Sequence, residues 1–303
     1  MRSKGIIMLV FFALVIVSGF FLLRHDSSNT VLRAERAKIV ISFGEDLTDQ
    51  QKRELMDYFY SWQKGRDRDT QYITVSNKEE RDYLQGLIDE ELIGSRAISS
   101  VYCETLDRSR GIEVETRNIT AITPFMYANA LSTAGIENAR VIVAAPFAVS
   151  GTAALTGIIK AFETAQGEKL DEKAKETAHE EIAETSKLAR KIGSNKAEKL
   201  IYEVKRQVVE RNISEPEEIK KIILEVSAKL NINIPAADIE RMVGLMQRLN
   251  SLNMNISRLN EQLSGLERSW NEVKSNSRES NGLLNQLLDA LRDLITGLKN
   301  ALA

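Results

Sequence analysis

The chain is short of cysteine, histidine, proline and aromatic residues, and each shortage closes off a class of protein. Of 303 residues one is cysteine, Cys103, and two are histidine, His25 and His179. A lone thiol allows no internal disulfide framework, so the fold must hold without staples of that kind. One cysteine and two distant histidines cannot assemble a metal cluster, and no metal site is expected. Cys103 reads as a small buried apolar residue on a strand, with a reactive or dimer-linking thiol as the lesser reading. His179 sits in a charged helical run and His25 follows a long apolar segment, which argues against a Ser-His-Asp site. Four prolines and sixteen glycines speak against a long disordered region, and an aromatic share of 6% suits a helical protein built on Leu, Ile and Ala.

Excess positive charge is also missing. Lysine and arginine total 41 against 43 acidic residues. Without residues 1–23, which hold only Arg2 and Lys4, the balance is 39 against 43. A mildly acidic body repels phosphates, so nucleic acid is not an expected partner. Neither standard glycine-rich phosphate loop is present, and no cofactor is expected.

What the chain does have is an apolar run. Residues 5–23 carry no charge over nineteen positions, enough helix to cross a bilayer core of about 30 Å. A cleavable signal has a shorter apolar stretch and a small-x-small site. Here the run is longer and ends Phe21-Leu22-Leu23-Arg24, so residues 1–24 read as a retained signal anchor, one transmembrane helix, with residues 25–37 as a linker. Arg2 and Lys4 on one side nearly balance Arg24, Arg33, Arg36 and Lys38 on the other. The short leading end favours a single-pass chain at the cell membrane with its body outside the cell, secreted if the segment is cleaved.

Residues 38–168 read as an α+β domain. Residues 38–43 form a short β-type run that adds an edge strand. Thr48 caps a helix with Leu55, Phe59 and Trp62 near one face. Residues 72–75 read as a strand, and Ser76 and Glu79 form the capping box of the next helix. Residues 97–105 and 111–120 read as two strands joined by a polar turn, the second alternating Ile112, Val114 and Thr116 with charged residues. Thr123-Pro124 opens a helix that ends near Gly135, and residues 140–145 form an apolar strand. The order β-α-β-β-α-β predicts a ferredoxin-like fold.

After Pro146 the chain runs from strand to helix through Ser150-Gly151-Thr152. Such a turn can offer backbone N–H groups to an anion. The candidate ligand-binding residues are Ser150, Gly151, Thr152 and Arg96, with Glu104 as a further polar group. The plainer reading has Ser150 or Thr152 capping the helix, since caps are far commoner than anion sites.

Residues 93–102 (IGSRAISSVY) and 141–157 (VIVAAPFAVSGTAALTG) resemble signature blocks of the YpuA-like proteins, a family of exported bacterial proteins, mostly Gram-positive, of unknown function. The segments starting at Gly44 and Gly193 fit as well, and the resemblance spans roughly residues 38–250. It implies a protein outside the cytoplasmic membrane with links to envelope physiology. It carries over no catalytic residues. Many relatives have ordinary cleavable signals, from which this N-terminus departs.

From residue 169 the chain is helical, with residues 169–244 as one domain. Gly193 stops one helix, Ser194 caps the next, Ser214 and Glu217 suggest a capping box, and Pro235 opens another. Residues 245–303 form a coiled-coil-like tail. Leu245, Leu249, Leu252, Ile256, Leu259, Leu263, Leu266, Trp270 and Val273 follow 4,3 spacing, and the phase resumes at Leu284, Leu287, Leu291, Leu294 and Leu298. Sustained heptads mean a narrow seam seeking helices. A polar gap at residues 275–282 allows one long helix or a hairpin. Self-association, a protein partner and packing on the chain's own domain all satisfy the seam.

Two functions follow. The first is a membrane-tethered extracytoplasmic interaction or structural protein of the cell envelope, non-enzymatic, acting through its α+β domain and heptad tail. The second is an enzyme or small-molecule binder that uses the turn at residues 150–156.

Overall fold

A computed structural model of the chain describes residues 39–63, 70–108 and 110–252. The chain divides into two units, Met1–Ala37 and Lys38–Ala303, and every described residue belongs to the second. Its elements run β1 (Ile39–Gly44), α1 (Asp49–Trp62), β2 (Thr70–Val75), α2 (Asn77–Leu84), α3 (Glu90–Ile93), β3 (Ser100–Thr105), β4 (Ile112–Ile119), α4 (Pro124–Thr133), β5 (Ala139–Val149), α5 (Thr152–Gln166), α6 (Glu172–Ile192), α7 (Ser194–Glu210), α8 (Pro216–Lys229) and α9 (Ala236–Ser251).

The α+β class holds, but the ferredoxin-like order does not. The five strands lie in the order β2-β1-β3-β5-β4. β3 and β4, expected as hairpin neighbours, are separated by β5, which is antiparallel to β3 and parallel to β4. β1, expected at an edge, lies between β2 and β3. Residue chemistry explains both corrections. Every residue of β1 is buried, and β5 is buried from Val141 to Ala145, so both need cover on two faces and take central places. β4 alternates apolar with charged residues and β2 is half exposed, so both tolerate an edge.

The two sheet faces bury different layers. Val40, Val101, Cys103, Val141 and Val143 pack against Met126 and Leu131 of α4 and Leu155 and Ile158 of α5. Ile39, Ile41, Tyr102 and Ile142 pack beneath Leu55 and Phe59 of α1. Thr48 starts α1 as expected, in a capping box with Gln51, and Thr123 caps α4 with Pro124 in its first turn. Cys103 is buried on β3, and burial pushes its thiol up to about 12, which makes it a poor nucleophile.

The helical region closes a second core from Leu200, Ile201 and Val204 of α7, Ile219 and Ile223 of α8, and Met242, Leu245 and Met246 of α9. Two expected caps are corrected. Ser194 is the first residue of α7 behind Gly193, and α8 starts behind Glu215; neither helix has a side-chain cap.

The tail also needs correcting where it is described. Leu245 is spent in the helical core, and Leu249 is buried with Tyr202 and Val209 beside Ile112, Val114 and Phe125. α9 ends at Ser251 and Leu252 is extended and half-buried, so no single helix runs on from Leu245. Ile256, Leu259, Leu263, Leu266, Trp270, Leu284, Leu287, Leu291 and Leu294 lie outside the described residues. The expected transmembrane helix is likewise no part of the fold described: residues 5–23 lie outside it, and among the described residues no helix is long and apolar enough to cross a membrane.

One glycine fixes how β1 leaves the sheet. A Cβ on Gly44 would lie 2.2 Å from the Ala97 carbonyl oxygen and 2.6 Å from its carbon. The approach is held by the Asp46 N–H donating to the Ala97 carbonyl (3.2 Å) and the Ala97 N–H donating to the Asp46 carboxylate (2.7 Å). Backbone on both sides leaves little room to give. Gly44→Ala is expected to destabilise the fold by on the order of 3 kcal/mol. Urea unfolding followed by circular dichroism checks this, and an unchanged midpoint would show that the Ala97 strand entry yields freely.

Candidate functional site

β5 ends its apolar run at Val149, and the chain turns through Ser150 and Gly151 into α5. Gly151 has φ +92°, a left-handed conformation open to glycine. A Cβ there would also meet Ile119 Cγ2 at 2.4 Å and the Tyr127 hydroxyl at 2.6 Å. Tyr127 on α4 donates its hydroxyl to the Gly151 carbonyl at 2.5 Å. Gly151 occupies the N-cap position of α5, and neither Ser150 nor Thr152 caps the helix with its side chain, contrary to the plainer expectation.

Both hydroxyls turn inward instead. Ser150 Oγ donates to the Leu92 carbonyl of α3 at 2.7 Å. Thr152 Oγ1 lies 2.6 Å from Glu80 Oε1 of α2 and 3.1 Å from the Leu92 carbonyl. Glu80 is fully buried, and its other oxygen accepts from Asn77 Nδ2 at 3.4 Å. Burial pushes its carboxyl up to about 7, against the opposing bonds from Thr152 and Asn77. A hydroxyl has one proton to donate. Thr152 therefore donates to Glu80, the nearer acceptor, with the Leu92 carbonyl as its longer second contact.

The structure brings Ser150, Gly151 and Thr152 together but not Arg96. Arg96 is exposed in the segment between α3 and β3, and no hydrogen bond joins it to the turn. Glu104 belongs to another cluster on β3, accepting from Tyr102 (3.1 Å) and Arg140 (3.4 Å). Sequence reading missed Glu80 and Tyr127. Glu80 follows the capping residue Glu79 in a polar run, and nothing local separates a buried glutamate from a solvated neighbour there.

The turn begins a polar stripe along α5. Thr156, one turn on, contacts His179 Nε2 at 3.1 Å, and His179 Nδ1 lies 2.8 Å from the Lys175 carbonyl. The ring stacks on Tyr83 with centroids 4.3 Å apart. Burial drives His179 down to about 4, so it is neutral at pH 7, donating through Nδ1 and accepting from Thr156. Lys160 then pairs with Glu79 at 2.5 Å, and Glu163 with Lys169 at 2.7 Å and Lys175 at 3.2 Å. Each polar side chain of the stripe is engaged by α2, α6 or the segment between α5 and α6. What this arrangement does is raise the Glu80 carboxyl to about 7 and lock α5 to its neighbours.

No solved structure matches the chain. The family is nonetheless clear. Residues 43–266 match the family described as "Protein of unknown function (DUF1002)", and the chain belongs to it. It is also 35% identical over 226 residues to the uncharacterized protein YpuA of Bacillus subtilis (strain 168), a match that covers 74% of this chain and 76% of that one.

Glu80 makes stability depend on pH with a definite sign. Its folded pKa of about 7 lies above the ordinary carboxyl value of 4.5, so its contribution is whole at pH 4 and is lost as pH rises through 7. Glu80→Gln keeps the shape of the protonated acid without the loss. The variant is expected to be more stable than the parent at pH 8, by up to about 3 kcal/mol, and level with it near pH 4.5. Urea titrations at the two pH values decide this; equal gains at both would mean that Glu80 does not titrate in the fold.

Proposed function

We propose that this is a non-enzymatic interaction protein of the bacterial cell envelope, held to the membrane through residues 5–23 with its body outside the cell, and that the heptad tail is its docking element. One observation carries the reading. The described body closes its cores with residues up to Leu249, which packs beside Ile112, Val114 and Phe125, and α9 then ends at Ser251. The seam continues in the sequence beyond the described residues, through Ile256 to Trp270 and Leu284 to Leu294. An apolar seam of that length needs another helix to cover it. The absence of positive excess and the resemblance to the YpuA-like proteins, a family of exported bacterial proteins, support an envelope role.

The alternative, a ligand site at residues 150–156, has less support. Its hydroxyls already donate within the protein, and a ligand would have to break the Ser150, Thr152 and Tyr127 bonds to reach the turn.

Sedimentation equilibrium and crosslinking of residues 26–303 test the docking role, compared with the same protein ending at Leu252. The longer protein is expected to self-associate or crosslink to a defined partner helix, and the shorter to stay monomeric with an unchanged unfolding midpoint. A monomeric, uncrosslinked longer protein would end the reading. In intact cells, added protease is expected to digest the body; full protection would place it on the other side.

A further inference from the structure

The body hides a lysine completely. Lys205 of α7 has no exposed surface, and neither Glu181 of α6 (1%) nor Asn129 of α4 (2%) is accessible beside it. Lys205 Nζ lies 3.1 Å from Asn129 Oδ1 and 3.1 Å from both carboxylate oxygens of Glu181. Asn129 Nδ2 donates to Glu181 Oε1 at 2.8 Å. Thr133 Oγ1 donates to Glu181 Oε2 at 2.5 Å and sits 2.6 Å from Nζ. Ser132 Oγ (3.2 Å) and the Asn129 backbone carbonyl (2.8 Å) complete the shell. An amine, a carboxamide and a carboxyl group thus converge from three helices in a site that excludes water.

We propose that this is a modification site, at which Lys205 and Asn129 join in an intramolecular amide crosslink promoted by Glu181. A C=O bond is about 1.2 Å long, so Nζ is at most about 4.3 Å from the Asn129 amide carbon. Holding nucleophile and electrophile this close replaces a bimolecular encounter. Burial pulls the lysine pKa down, although Glu181 opposes this, and so favours the neutral amine that attacks.

The step balances without an added reactant. Glu181 takes one proton from the ammonium of Lys205. The amine lone pair forms the Nζ–Cγ bond, and the C=O π pair moves onto Oδ1. A second proton passes from Nζ to Nδ2 through Glu181. The carbonyl re-forms, the Cγ–Nδ2 bond breaks, and ammonia leaves. Lysine has lost two protons, one retained on Glu181 and one carried off in ammonia. A buried ion pair has become a neutral amide beside a neutral acid, which removes the desolvation cost of two charges. Water exclusion favours this aminolysis over hydrolysis of the amide.

Mass spectrometry of the full-length protein purified from cells decides the matter. Proteolytic digestion is expected to yield a branched peptide joining the segment with Asn129 to that with Lys205, lighter by one ammonia than its two parts. Glu181→Gln, which cannot accept the proton, is expected to give the two peptides unlinked and at full mass. If that variant does not fold, the wild-type digest alone suffices. Unlinked Asn129 and Lys205 peptides from wild type would overturn the proposal, as would ammonia loss confined to the Asn129 peptide.

Discussion

The rest of the structure depends on β5 being apolar on both faces. A strand with Val141, Ile142, Val143, Ala144 and Ala145 all buried cannot sit at an edge. It therefore inserts between β3 and β4 and forces them apart. α4 must then cross from β4 to its parallel neighbour β5, as a parallel pair requires. That crossing puts Tyr127 over the end of β5, and with it the bond that holds the Gly151 carbonyl. The turn, the start of α5 and the polar stripe beyond it all follow from where β5 lies.

The second constraint is the polar material buried between the helices. Glu80 is held against Thr152, and Glu198 against Thr123, the N-cap of α4, at 2.6 Å. Burial drives both carboxyls up to about 7. Lys205 and Glu181 are buried outright. Such groups contribute little net stability compared with well-packed apolar residues, but losing one partner is costly. Each joins elements far apart in sequence: Glu80 ties α2 to α5, Glu198 ties α7 to α4, and Lys205 ties α7 to α4 and α6. Apolar contacts alone leave helix registers loosely set, whereas a buried hydrogen-bonded group accepts one arrangement. In a chain with one cysteine these contacts take on the task of fixing the layers.

Local signals in the sequence predicted several helix starts, though not the side-chain caps expected at Ser194, Ser214 and Ser150 or Thr152. Thr48, Ser76 and Thr123 start helices where their caps predict, and Gly193 ends one. Capping is a contact between near neighbours, which a short window contains. Strand order is not. The alternation of β4 and the polar turn before it suggested a hairpin, while the deciding fact was that β5 and β1 are apolar on both faces. That information was present, but only as a comparison among strands. The candidate turn was found at the right place, yet its partners Glu80 and Tyr127 come from distant elements that no spacing rule connects to it. His179 lies in a charged run of the sequence, and the stack on Tyr83 shows that it faces inward, as the buried Lys175 and Glu181 of the same helix do.

The heptad seam shows how one sequence pattern divides between two uses. Leu245 and Leu249 continue the spacing seen further on, but they are core residues of the helical region. Period alone cannot separate a stripe that covers its own domain from one that meets another helix, since both are apolar every three or four residues. What separates them is whether the domain still needs cover. By Leu249, α7, α8 and α9 have closed on one another, and Leu249 packs at their junction with β4 and α4. The helix stops within a turn of that point. Among the described residues, Leu245 and Leu249 are spent on the chain's own cores, and the buried polar groups are engaged with one another.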